Sequence, residues 1–187
     1  MTDHEVIDRV LAGDQKAFAL LVVAYQRKAL SLAERLLQDR PHAEDLVQDA
    51  FVKAYSSLAS FKRGSSFATW FYRIVYTTCL NALQKQRRMP LSEQIDEDTN
   101  PVWIEPSFFD ELGRAEVEEI LRDEMTQMSP VYAVVMELFY NNDLSYEQIV
   151  KITGMPLGTV KTRLNRGRSL LRAALMKRCP DLEVHNG

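Results

Sequence analysis

The 187-residue chain has only two cysteines and three histidines. Cys79 and Cys179 form no close pair, and His4, His42 and His185 are scattered without ligand spacing. Neither a disulfide framework nor a zinc or other metal site is supported, and both thiols are expected to be reduced and structural. Long apolar runs are missing too. The longest strongly hydrophobic one, residues 17–25, is far too short to span a bilayer, so no membrane insertion is expected. The opening MTDHEV is acidic where a secretion signal would be basic and then greasy, so a cytoplasmic location is expected. No stretch alternates as a strand does, so the expected fold is all-α. Nor do the many carboxylates have the His, Ser or metal-ligand partners of an active site, so the chain reads as no enzyme and as needing no cofactor.

What is present is charge, unevenly spread. The net charge of -3 looks unsuited to nucleic acid until the chain is divided. Residues 1–89 hold 13 basic and 9 acidic side chains, residues 90–125 hold 2 and 12, and residues 126–187 hold 8 and 5. Two basic blocks therefore flank one strongly acidic segment. Helical periodicity gives the same division. Helices are expected over residues 3–12, 15–38, 41–57 and 67–88, with a Gly- and Ser-containing loop at 61–66. Met89-Pro90 ends this N-terminal helical bundle, residues 1–89. Residues 90–110, with Pro101, Pro106 and many acids, read as an extended acidic linker. Residues 111–187 form a second small helical domain, with helices near 111–126 and 130–140 before its most informative stretch.

That stretch is LSYEQIVKITGMPLGTVKTRLNRGRSLLR, residues 144–172. Ser145 and Gln148 have capping-box spacing, Gly154-Met155-Pro156 breaks the first helix, and a second begins near Leu157. Val160, Leu164, Leu171 and Leu175 keep one side of the second helix inward, with Gly167 on the same side. Between Leu157 and Arg178 there are seven Lys or Arg and no acid, which suits a helix lying in a major groove. An ordinary helical hairpin with a solvated basic face is the alternative reading.

Two surfaces stand out in the first domain. At 100° per residue, Trp70, Arg73, Thr77, Asn81, Gln84, Lys85 and Arg88 share one stripe of FATWFYRIVYTTCLNALQKQRR, with Tyr72, Val75, Cys79 and Leu83 opposite. An aromatic heading a polar, basic stripe suits single-stranded DNA, because rings stack on bases while cations follow phosphates. Phe71 and Tyr72 are read as core, and Trp70 as either. In AEDLVQDAFVKAY, residues 43–55, Asp45, Gln48, Asp49 and Val52 show on a face away from Ala50, Phe51 and Ala54. That face is either solvated or a dock for a basic partner helix.

In order, GDQKAFALLVVAYQRK, AEDLVQDAFVKAY, the aromatic helix, the acidic linker and the helix-turn-helix resemble the extracytoplasmic-function sigma factors, sigma-E-like members of the bacterial primary sigma family. The likeness spans nearly the whole chain. It implies that residues 1–89, like sigma region 2, bind RNA polymerase core and the -10 element, and that residues 111–187, like region 4, bind the -35 duplex. Asp45, Gln48, Asp49 and Val52 would meet the clamp helices of the β′ subunit, with the β subunit as a further partner. The loop with Phe61, Lys62, Arg63, Ser65 and Phe67 would accept a flipped base, and Trp70, Arg73, Thr77, Asn81, Lys85 and Arg88 would melt and read the -10 strand. Lys161, Thr162, Asn165 and Arg166 would face bases of the -35 groove, beside Thr159, with Arg163 and Arg168 on phosphates. The linker would thread a basic polymerase channel as an acidic mimic.

Thr77 stands where many members have Asn, and Asn165 at a position that varies, so the resemblance does not fix a promoter sequence. It implies a factor that brings core to specific promoters and assists melting. It also implies an anti-sigma factor, often membrane-linked, that would hold the chain at the membrane. The alternatives are a stand-alone helix-turn-helix regulator, and an α-helical adaptor whose basic helix meets acidic protein.

Overall fold

Eight α-helices and no strand make up the described part of the computed structural model, residues 1–85 and 115–178, with side chains described from 119 onward in the second stretch. The expected linker, Arg88 and Cys179 lie outside the described residues. Local chemistry sets most helix ends. Helix α1, Asp3–Leu11, opens on a capping box in which Thr2 N–H donates to Glu5 at 2.7 Å and Glu5 N–H to Thr2 Oγ1 at 3.4 Å. Gly13, at φ +106°, then reverses the chain in a region that side chains avoid. A single 3-10 turn, Gln15–Ala17, leads into α2, Phe18–Leu37, where one continuous helix was expected. Asp39 caps α3, Arg40–Ser57, by accepting from His42 N–H at 3.1 Å, and Pro41 sits in its first turn as the sequence predicts. Helix α4 is described over Phe67–Lys85.

Helices α2, α3 and α4 pack on one another with α1 against α2. Ala29 and Ala33 of α2 and Ala43, Ala50 and Ala54 of α3 are fully buried, small enough for helix backbones to come close. Rings fill the remaining volume. Phe71 of α4 lies 4.4 Å from Phe51, 6.0 Å from Tyr25 and 5.8 Å from Phe67 between centroids, the last pair stacked.

The second half holds α5 (Ala115–Gln127), α6 (Pro130–Met136), α7 (Tyr146–Thr153) and α8 (Leu157–Arg178). Between α6 and α7 the chain widens into a π-helical turn, Glu137–Asn141, that the plain periodicity of residues 130–140 does not reveal. Helices α5 and α6 pack on α8. Gly167 permits the α6 contact: a Cβ there would lie 2.7 Å from Met136 Cγ and 2.8 Å from its Sδ.

The two halves also touch. Helix α2 meets α6 and the π turn, and α4 meets α7. Arg35 Nε reaches Glu137 at 3.4 Å, Arg35 Nη1 donates to Thr126 Oγ1 at 3.2 Å, Lys28 Nζ pairs with Asp143 at 3.0 Å, and Gln148 Nε2 donates to Thr69 Oγ1 at 3.2 Å. An open cleft of about 1120 Å³, lined among others by Arg27, Arg35, Leu121, Met125 and Met136, runs beside this contact.

Phe71→Ala leaves a cavity among four rings and should cost about 3–5 kcal/mol in equilibrium denaturation. A midpoint close to wild type would show that this cluster does not hold the first half together.

Candidate nucleic-acid interface

The outer stripe of α4 is as the wheel places it: Arg73, Thr77, Asn81 and Lys85 are exposed, and Trp70 is half-buried. Trp70 rests on two rings, with centroids 5.2 Å from Phe61 and 5.7 Å from Phe67. Those two phenylalanines are themselves 9% and 1% exposed, so they form a nearly covered floor under Trp70. Lys62 and Arg63 are exposed and Ser65 is half-buried. Arg63 takes a left-handed backbone angle, φ +53°, and pairs with Asp8 of α1, which ties the loop back to the bundle. Thr77 Oγ1 donates to the Arg73 carbonyl at 2.8 Å, leaving its lone pairs as the free hydrogen-bonding capacity.

Helix α3 carries the second surface. Asp45, Gln48, Asp49 and Val52 are all exposed, Val52 by 65%, while Val47, Ala50, Phe51 and Ala54 face the core. Lys53 Nζ donates to Thr78 Oγ1 at 3.0 Å and so fixes α3 against α4. The nearby thiol of Cys79 is pushed up to about 12 by burial, which Lys53 partly offsets, so it stays protonated and unreactive.

In the second half, Ser145 and Gln148 make the predicted capping box, at 2.8 and 3.3 Å. Gly154 ends α7 in the left-handed region at φ +73° and donates to the Val150 carbonyl at 2.8 Å. The short turn that follows presents α8. Its outer side offers Lys161 and Thr162 exposed, with Thr159 and Arg166 half-buried. Arg163, Asn165 and Arg168 are buried. Arg163 turns toward α4: its Nη1 lies 3.3 Å from Met155 Sδ, and its charge opposes the upward push that burial gives the Tyr76 phenol.

Arg168 is fully enclosed. Its Nε donates to Tyr140 Oη at 2.7 Å and its Nη2 to Tyr146 Oη at 3.2 Å, with the guanidinium 5.3 Å from the Phe139 ring centre and 5.7 Å from that of Tyr140. The sequence reading gave it a phosphate; the structure gives it the junction of the π turn, α7 and α8. That position was legible, because Arg168 lies four residues after Leu164 and three before Leu171, both core side chains. No described helix is long and apolar enough to cross a membrane.

Known proteins share this arrangement. The sigma-70 region 2 family model matches residues 21–89, and the sigma-70 region 4 model matches residues 118–171. The chain is 36% identical over 184 residues to the extracytoplasmic-function sigma-E factor of Escherichia coli K12, covering 91% of this chain and 93% of that one. This chain belongs to the extracytoplasmic-function sigma factors. The sigma-H factor of Pseudomonas aeruginosa is 35% identical over 180 residues, with 92% and 93% covered. Among solved structures, the sigma factor RpoE of Bartonella quintana, crystallised with the anti-sigma factor NepR, superposes with a TM-score of 0.63 at 25% identity, covering 86% of this chain and 97% of that one. CnrH, solved with the cytosolic domain of CnrY, has a TM-score of 0.62 at 21% identity, covers 94% and 97%, and shares the fold. In this sigma factor the region 2 match takes in α3 and α4, and the region 4 match takes in α7 and most of α8.

Arg168→Lys keeps the charge but loses the fork that reaches two hydroxyls, and should lower stability by about 2 kcal/mol. An arginine serving only a phosphate would leave the denaturation midpoint where it is.

Proposed function

We propose that this sigma factor docks on RNA polymerase core through the α3 face of Asp45, Gln48, Asp49 and Val52 and reads promoter DNA with two separate helices. The observation that carries the reading is the division of labour between α3 and α4. Both bury their inner sides in one core, yet α3 exposes carboxylates with an apolar centre while α4 exposes a cationic stripe headed by an aromatic. Carboxylates repel DNA and suit a basic protein helix; the stripe suits an opened strand.

In this account the α4 side chains Trp70, Arg73, Thr77, Asn81 and Lys85 hold bases and phosphates of the melted -10 strand. Stacking on Trp70 is worth roughly 1–3 kcal/mol per base, comparable with the cost of unstacking one. Lys62, Arg63 and Ser65 edge the same region. Helix α8 enters the -35 major groove with Thr162 and Arg166 toward base edges and Thr159 and Lys161 beside them. Neither site has to be strong alone, because tethering both to one polymerase raises the effective concentration of each. The chain itself makes and breaks no bond, and acts as an initiation factor in the cytoplasm. Its acidic linker would follow a basic channel of the polymerase.

An anti-sigma factor is the expected regulator, as in the Bartonella complex. The cleft beside the domain contact offers it an apolar floor of Leu121, Met125 and Met136 under a rim of mixed charge, with Arg27, Arg35, Arg40 and Arg122 beside Glu34, Asp39 and Glu137. A membrane-linked regulator of this kind would hold the chain at the membrane.

Replacing Asp45, Gln48 and Asp49 together by Ala should weaken binding to purified core at least tenfold, or about 1.4 kcal/mol, with thermal stability unchanged. Undiminished core binding would contradict the assignment, and a parallel loss of stability would point to unfolding.

A further inference from the structure

We propose that α1 braces the base-accepting loop, with Asp8 and His4 as positioning residues that hold Arg63 and Phe61 and so set the seat of Trp70. The inference rests on the promoter reading above. It adds an element that the family matches leave out, because α1 ends at Leu11 and the region 2 match begins at residue 21.

The loop is held at its ends and hardly at all between them. Phe61 N–H donates to the Leu58 carbonyl at 3.1 Å on one side, and Thr69 N–H donates to Ser66 Oγ at 3.2 Å on the other. Lys62 is exposed, and a Cβ on Gly64 would meet nothing within 4 Å. Between those ends the tether, among the described residues, is the Arg63 guanidinium on the Asp8 carboxylate, 55 residues away in the chain. Arg63 needs it. Its φ of +53° lies where a Cβ crowds the following carbonyl, so nothing local selects that conformation and a tertiary contact has to impose it.

Helix α1 is placed to impose it. Val6, Ile7 and Val10 are buried and fix the helix on the bundle, and α1 also touches the 3-10 turn Leu58–Ser60 that leads into the loop. His4 and Asp8, four residues apart, share a face. The His4 ring stacks on Phe61 at 6.3 Å and 22°, and Phe61 in turn lies 5.2 Å from Trp70. A second path reaches the other half of the floor: Tyr25 Oη donates to the Asp3 carboxylate, and the Tyr25 ring lies 5.2 Å from that of Phe67.

The strength expected of the pair makes its role local. Asp8 and Arg63 are each about half exposed, and an exposed ion pair adds little to global stability. Its effect falls on the seat. A ring and loop already standing where an unstacked base arrives keep the stacking energy, whereas a seat that has to form first gives part of it back. While Asp8 holds Arg63, Lys62 is the exposed loop cation left to meet a phosphate.

The test uses the full chain with purified core polymerase and a promoter taken from the discrete run-off transcripts of fragmented genomic DNA. Asp8→Ala should leave core affinity and the thermal midpoint unchanged, yet lower initiation on duplex template about fivefold, the low end of one base-stacking contribution. On the same template with its -10 element held open by mismatches, at saturating DNA, that loss should vanish, because the base no longer has to be drawn from the stack. Asp8→Glu keeps the pair and should stay close to wild type. Arg63→Gly takes a positive φ freely, so it should lose less than Arg63→Ala and should make Asp8→Ala silent. Equal losses on the two templates, or additive losses when Asp8→Ala and Arg63→Gly are combined, would overturn the brace. A second readout needs no DNA. In a Trp103→Phe background, where Trp70 is the sole tryptophan, acrylamide quenching of Trp70 should roughly double in Asp8→Ala as the loop uncovers its ring, and unchanged quenching would overturn the brace. A wild-type chain that yields no transcript with core would instead overturn the sigma reading, and Trp70 quenching would still decide the brace.

Discussion

Burial of the aromatic side of α4 against α2 and α3 is the constraint from which the rest follows. Phe67, Phe71, Tyr72, Val75 and Cys79 cannot leave the core without opening cavities, so the helix cannot rotate. With rotation forbidden, Arg73, Thr77 and Asn81 must face outward, and Trp70 must sit on Phe61 and Phe67 at the rim. The same fixed orientation turns Thr69, Tyr72 and Tyr76 toward the second half, where α7 covers them. One helix thus serves as core, exposed polar and cationic stripe, and interdomain contact, each on its own side.

Enclosed cations organise the second half in a comparable way. Among the described residues Arg168 has no carboxylate in its cage; two tyrosine hydroxyls and two ring faces satisfy most of it, which keeps the π turn, α7 and α8 in fixed register without the desolvation of a second charge. The π turn makes this possible by bringing Phe139 and Tyr140 to the same guanidinium. Arg35 and Glu137 do the opposite, placing a true ion pair where the halves meet.

Much of this was legible. The Ser145–Gln148 box, Pro41, Gly154 and the buried set Tyr72, Val75, Cys79 and Leu83 all depend on spacing within a few residues, and local rules capture them. Exposure of Asp45, Gln48, Asp49 and Val52 followed from the same periodicity. Arg168 was misread because residue type was given more weight than position: an arginine in a basic run looks solvated even at a core spacing. The inward turn of Phe61 and Phe67 depends on Trp70 and α1 nearby, and the docking of the halves depends on partners more than one hundred residues apart, such as Arg35 and Glu137. No periodic signal encodes such pairings.

The central claim, that two small readers on one chain make core polymerase selective, is tested most directly by run-off transcription on fragmented genomic DNA with purified core. Adding the chain should produce discrete transcripts with defined 5′ ends that core alone does not make, saturating at one chain per polymerase. Transcripts no different from those of core alone, given a folded chain at saturating concentration, would contradict the account.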